Sequence, residues 1–168
     1  MRSVAAGAEW VEAVIEIPRG STNKYEYDHH RDVLLLDRHL FSATTYPADY
    51  GFVPDTLAED GDPLDVLVIL EEATFPGCHI RARPIGMFMM RDEHGPDCKI
   101  VAVPFGDPRW EPVRDLEGLP PGLTAEIGHF FDVYKDLEPE KWTEVGAFDG
   151  PAEAWDEIRK ARSAFLAR

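Results

Sequence analysis

The sequence predicts an α+β fold that is mainly β: a small, closed or partly closed antiparallel barrel with two principal helices packed outside it. Two observations carry this. Over the first two-thirds of the chain the apolar residues come in short runs divided by Gly, Pro, Asp and Asn, the pattern of strands and turns. Over the last third the apolar spacing lengthens to the helical period. Strands first and helices afterwards put the helices outside the sheet. Prolines and glycines are spread along the chain without an internal repeat, so residues 1–168 read as a single domain.

The first strand, residues 10–17, alternates and is closed by Pro18 and Gly20. Residues 33–36 and 65–70 are short runs of strand type. Residues 80–90 and 98–105 flank a tight loop, Glu93-His94-Gly95-Pro96, and read as a hairpin. Ile127, Phe130, Phe131 and Tyr134 then share one helix face, with Thr124 as the expected N-cap. Ala154, Trp155, Ile158, Ala161 and Phe165 make a second such face, and Pro151 suits its first turn.

Charge narrows the function. Asp and Glu number 32 against 17 Lys and Arg, a net charge of −15 with neutral His. Such a chain repels nucleic acid and anionic membranes unless it gathers a basic patch, and no basic run occurs. Neither nucleic acid nor membrane is therefore an expected partner. The longest apolar runs, residues 66–70 and 85–90, fall far short of the ~20 residues that span a bilayer. Residues 1–8 lack the apolar stretch of a secretory signal, so a cytoplasmic location is expected. Two cysteines, Cys78 and Cys98, read as reduced thiols instead of a disulfide framework.

The most informative segment is Glu59-Asp60-Gly61-Asp62-Pro63-Leu64-Asp65, which runs straight into a strand. Its Asp-Gly and Asp-Pro pairs are turn chemistry. An EF-hand is excluded, because Leu64 and Asp65 stand where that loop needs an oxygen ligand and a glycine. Asp92 and Asp97 flank the hairpin loop, and two bare carboxylates ~5 Å apart would repel by about 3 kcal/mol at an effective dielectric of ~20. Divalent cations relieve such crowding, and all-oxygen ligation favours Mg²⁺, Mn²⁺ or Ca²⁺ over zinc. Lys24, Arg38, Lys99 and Lys135 are each unremarkable as surface charges. Taken with the carboxylates they suggest a polyanion clamped between metal ions and basic side chains.

Seven blocks now fall in order: Ile15-Glu16-Ile17-Pro18, Asn23-Lys24-Tyr25-Glu26, Leu36-Asp37-Arg38, Tyr46-Pro47-Ala48-Asp49-Tyr50-Gly51-Phe52, Asp60-Gly61-Asp62-Pro63-Leu64-Asp65-Val66-Leu67, the segment from Asp92 to Lys99, and that from Phe130 to Leu137. In these blocks the chain closely resembles the soluble family I inorganic pyrophosphatases of bacterial type. The resemblance implies a five-stranded OB-like closed barrel. It implies hydrolysis of pyrophosphate to two phosphates by a metal-activated water, with several Mg²⁺ ions per site. The family's metal ligands fall on Asp60, Asp65, Asp92 and Asp97, with Glu16 and Glu26 acting partly through water. The proton acceptor matches Asp62. Lys24 and Tyr50 match phosphate contacts at one end of the substrate, Arg38, Tyr134 and Lys135 those at the other, and Lys99 and Tyr46 supporting positions. A homo-oligomer, specifically a hexamer, is implied as well, with His129 at a subunit contact.

Two other readings use the same residues. A magnesium-dependent nucleotide or polyphosphate hydrolase would need a base pocket or an extended basic channel. A non-enzymatic OB-fold binding module would need a basic groove with stacking aromatics. Neither feature is visible in the sequence. His29 and His94 are expected near the rim of the metal site, where imidazole nitrogens suit Mn²⁺ or Zn²⁺ better than Mg²⁺.

Overall fold

The computed structural model describes residues 7–168. In chain order its elements are β1 (Val11–Ile17), β2 (Asn23–Asp28), β3 (Val33–His39), β4 (Asp49–Val53), β5 (Leu64–Val68), β6 (His79–Asp92), β7 (Gly95–Pro104), α1 (Leu123–Val133), β8 (Thr143–Asp149) and α2 (Pro151–Leu166). Five strands close a ring in the order β1-β4-β5-β7-β6 and back to β1. Strand β8 adds to β6 outside the ring, and β2 with β3 forms a separate two-stranded ribbon. The mainly-β barrel with two outside helices is as expected, except that β5 and β7 pair in parallel.

Strand β6 makes closure work because it is long and bent. Its first half pairs with β1 and its second half with β8. The register slips between Pro84 and Gly86, so a proline without an N–H sits at an irregularity, where a central strand tolerates it.

Side chains alternate between two cores. Val11, Ala13, Ile15, Val53, Leu64, Val66, Val68, Ala82, Ile100 and Ala102 from all five ring strands form one core, capped by Ala154, Ile158 and Ala161 of α2. The opposite face of the ring carries Leu67, Phe88 and Val101 beneath Ile127, Phe130, Phe131 and Tyr134 of the α1 segment. Each fully buried side chain of this size contributes about 1.5–3 kcal/mol. Helix α1 is thus clamped to the barrel, and the residues just past its end are held in place.

Three details differ from expectation. Gly122, in the left-handed region at φ 85°, caps α1, and Thr124 lies inside the helix. The β6–β7 turn has two residues, Glu93 and His94, since Asp92 pairs with Gly95. Asp97 therefore faces Met90, one pair of residues away from Asp92 on the same face. Strands β2, β4 and β8 had no clear sequence signal. Pro151 does begin α2, and both cysteines are free thiols. Burial pushes the Cys98 thiol up to about 12, which leaves it inert.

Candidate active site

The parallel register sets Asp65 of β5 beside Lys99 of β7, with Asp97 two residues back on the same face. Lys99 is buried, and its Nζ donates to Tyr50 Oη, Asp65 Oδ2 and Asp97 Oδ2, each at 2.8 Å. The ammonium also lies 5.0 Å from the Tyr50 ring centre and 5.2 Å from that of Phe131. Burial opposes its charge, but Asp65 and Asp97 hold it well above the usual lysine range. Lys99 is the hub of the site.

Glu16 reaches this hub through a bulge. Ile15 pairs with Gly51 and Ile17 with Tyr50, so Glu16 is the extra residue of β1. Only glycine fits opposite: a Cβ on Gly51 would stand 1.8 Å from Val14 O. Glu16 Oε1 accepts from the Tyr27 N–H at 2.9 Å. Burial first, then the nearby Asp65, pushes its carboxyl up to about 8.

The acidic loop is a closed turn. Gly61 takes φ 90°, Ala58 N–H donates to Asp62 O at 2.8 Å, and Asp62 N–H donates to Asp60 Oδ1 at 3.0 Å. Burial and then Asp97 raise the Asp60 carboxyl, against the Asp62 N–H. The Asp62 side chain is exposed, and among the described residues its carboxylate has no partner.

At the end of β6, Asp92 accepts from His94 N–H at 2.8 Å and from Lys135 Nζ at 3.1 Å. Burial works against the Asp92 charge, but these two donors outweigh it and lower the pKa. Tyr134 and Lys135 follow directly on α1, and both are buried. Burial raises the phenols of Tyr46, Tyr50 and Tyr134 above their ordinary value. All three stay protonated and can donate hydrogen bonds.

On the ribbon, Lys24 and Arg38 are paired across β2 and β3, and Asp37 is the extra residue that breaks the register between them. Like charges directly opposite destabilise a ribbon. Asp37 answers both: Lys24 Nζ lies 3.3 Å from its Oδ2, and Arg38 Nη1 donates to the same oxygen. Lys24 also pairs with Glu26. Glu16 feels Asp65, Lys24, Glu26 and Lys99 together, which ties the ribbon to the hub. Tyr50, Asp65, Asp97 and Lys99 thus form one bonded set with Glu16 and the ribbon charges beside it, Asp92 and Lys135 form a separate pair, and the Asp62 side chain bonds to neither.

Two residues that sequence reasoning missed are part of it. Glu138 holds Arg38 and Lys141. Asp49 is buried and accepts from the N–H groups of Arg19 and Thr74, each at 2.9 Å, fixing the strand that carries Tyr50. Glu138 looked like any charge in a polar loop. His29 and His94 are peripheral: His29 packs edge-on against Tyr27 and Phe52, and the His94 side chain is 78% exposed.

Among the described residues no three His, Cys, Asp or Glu side chains converge on one point. The donor set still fits a hard divalent cation. It is all oxygen, and burial first, with neighbouring carboxylates after it, raises the carboxyls of Glu16, Asp60 and Asp97, a cost that a bound cation would offset. Magnesium needs only one or two carboxylates with water and phosphate completing its shell.

The sequence model of the family described as inorganic pyrophosphatase matches residues 13–166. A protein of Streptomyces coelicolor named inorganic pyrophosphatase is 55% identical over 154 residues, covering 92% of this chain and 94% of that one. The crystal structure of inorganic pyrophosphatase from Thermus thermophilus superposes with a TM-score of 0.93 at 42% identity, over 99% of this chain and 97% of that one. That from Helicobacter pylori does so with 0.93 at 41%, over 98% of both. A match that spans the barrel, both helices and every element of the Lys99 hub leaves one assignment: this chain belongs to the inorganic pyrophosphatase family.

Proposed function

We propose that this protein hydrolyses inorganic pyrophosphate to two phosphates with magnesium as its metal, as a single-domain chain in a cytoplasmic homohexamer. The supporting observation is the arrangement around Lys99. One buried ammonium is shared by two carboxylates, and five further cationic or phenolic groups, Lys24, Arg38, Lys135, Tyr50 and Tyr134, accompany it. Magnesium held by Asp60, Asp65, Asp92 and Asp97, and by Glu16 and Glu26 partly through water, would supply an acidified water and charge neutralisation.

The chain's own groups divide the remaining work. Asp62 is uncommitted and exposed, so its carboxylate accepts the proton of the attacking water. Lys24 and Tyr50 hold one phosphate group, and Arg38, Tyr134 and Lys135 hold the other. The raised phenols act as donors to phosphate oxygens. Lys99, committed to three partners, sets the positions of Asp65, Asp97 and Tyr50, and Tyr46 supports Tyr50 at a ring distance of 5.6 Å.

Phosphate should be released from pyrophosphate with Mg²⁺ and not after EDTA, and ATP should react far more slowly. Equal rates on ATP would favour the nucleotide hydrolase instead. No helix among the described residues is long and apolar enough to cross a membrane. His129 is exposed on α1 and free to meet a neighbouring subunit. Light scattering should give a mass about six times 18.9 kDa; a single-chain mass would reject the oligomer.

A further inference from the structure

Two carboxylates touch Arg38, and they differ. Asp37 is 32% exposed and shares its oxygen with Lys24. Glu138 is 3% exposed. Arg38 Nη2 donates to Glu138 Oε2 at 3.2 Å, and Nε stands 2.8 Å from Oε1. Lys141 Nζ donates to that same Oε1 at 3.1 Å. The Glu138 N–H meanwhile closes a turn on Lys135 O at 2.9 Å. One residue therefore braces two cations, Arg38 through its side chain and Lys135 through its backbone.

We propose that Glu138 is the positioning residue for the phosphate-binding cations Arg38 and Lys135, and that Asp37 occupies the place on Arg38 that the incoming phosphate takes. This rests on the pyrophosphate reading above. A wet, shared carboxylate is displaced by a polyanion at little cost, whereas a dry one with charged partners is not. Glu138 holds Nη2 by a hydrogen bond and lies against Nε as an ion pair without a hydrogen bond there, which leaves Nη1 to the substrate. A fixed fork loses less entropy on binding a phosphate than a free one.

The test is steady-state kinetics with magnesium pyrophosphate. Glu138→Gln keeps the volume and loses the charge. Its KM should rise on the order of 10-fold while kcat changes less than ~3-fold, the pattern of lost uniform binding. Glu138→Asp keeps the charge on a stem too short to reach both nitrogens, and its KM should rise at least ~3-fold. In an Arg38→Ala background, Glu138→Gln should add less than ~2-fold, since the two act as one unit. A purely structural Glu138 would lower thermal stability without moving KM, or would add its full effect in the double variant; either result overturns the proposal. If Glu138→Gln does not fold, an unchanged KM in Glu138→Asp overturns it alone. A wild type inert towards pyrophosphate would sink the functional reading first, and this inference with it.

Discussion

Asp62→Asn should fold normally and lose at least ~10²-fold in kcat, the scale set by removing a general base. The substitution is isosteric, and the backbone of Asp62, not its side chain, closes the acidic turn. Among the described residues the carboxylate touches nothing that would be lost. Circular dichroism and the unfolding midpoint should therefore match the parent, and KM should stay near its original value. Near-normal turnover in the folded variant would remove Asp62 from the mechanism.

The second large effect concerns stability and lies away from the site. Arg83 of β6 is 5% exposed, and its Nη2 donates to Trp110 O and Val113 O at 2.8 Å each. Its Nη1 pairs with Glu111 at 3.1 Å. One guanidinium thus fastens the segment before α1 to the barrel. Arg83→Leu would fill much of the space and leave two buried carbonyls without donors, at ~1–3 kcal/mol for each. With a chain of this size, a loss of ~3 kcal/mol lowers Tm by roughly 6–12 °C. Protein and metal concentrations must be held fixed in the comparison, because both shift apparent stability. A drop of less than ~2 °C would mean that water replaces the arginine.

What the sequence showed and what it hid follow from the same physics. Helix α2 and the strands β1, β6 and β7 were legible because their apolar residues repeat at the period of the face they bury. Strand β4, Asp-Tyr-Gly-Phe-Val, was hidden because its Asp49 is buried by hydrogen bonds and its Gly51 serves a bulge on the neighbouring strand. Strand β2 is a ribbon strand with no deeply buried side chain, so it has no apolar alternation to read. The carboxylates were legible as a cluster, because turn chemistry placed them near one another in sequence. Their balance was not, since the pairing of Asp65 with Lys99 comes from a parallel register that only the closed ring defines. Glu138 was hidden for the same reason, its partner Arg38 being 100 residues away.

That register also makes the central ion pair a late arrival in the growing chain. Asp65 and Lys99 stand 34 residues apart, and parallel strands cannot meet through a hairpin. Strand β7, the second neighbour of β5, comes only after the whole of β6 in the chain. A chain growing from its N-terminus therefore carries the acidic turn through the whole of β6 with its counter-charge still unmade. Until β5 meets β7, Asp65 and Asp97 lie apart and in water, where their mutual repulsion is weak. The non-local contact that crowds them is the one that delivers the lysine between Asp65 and Asp97.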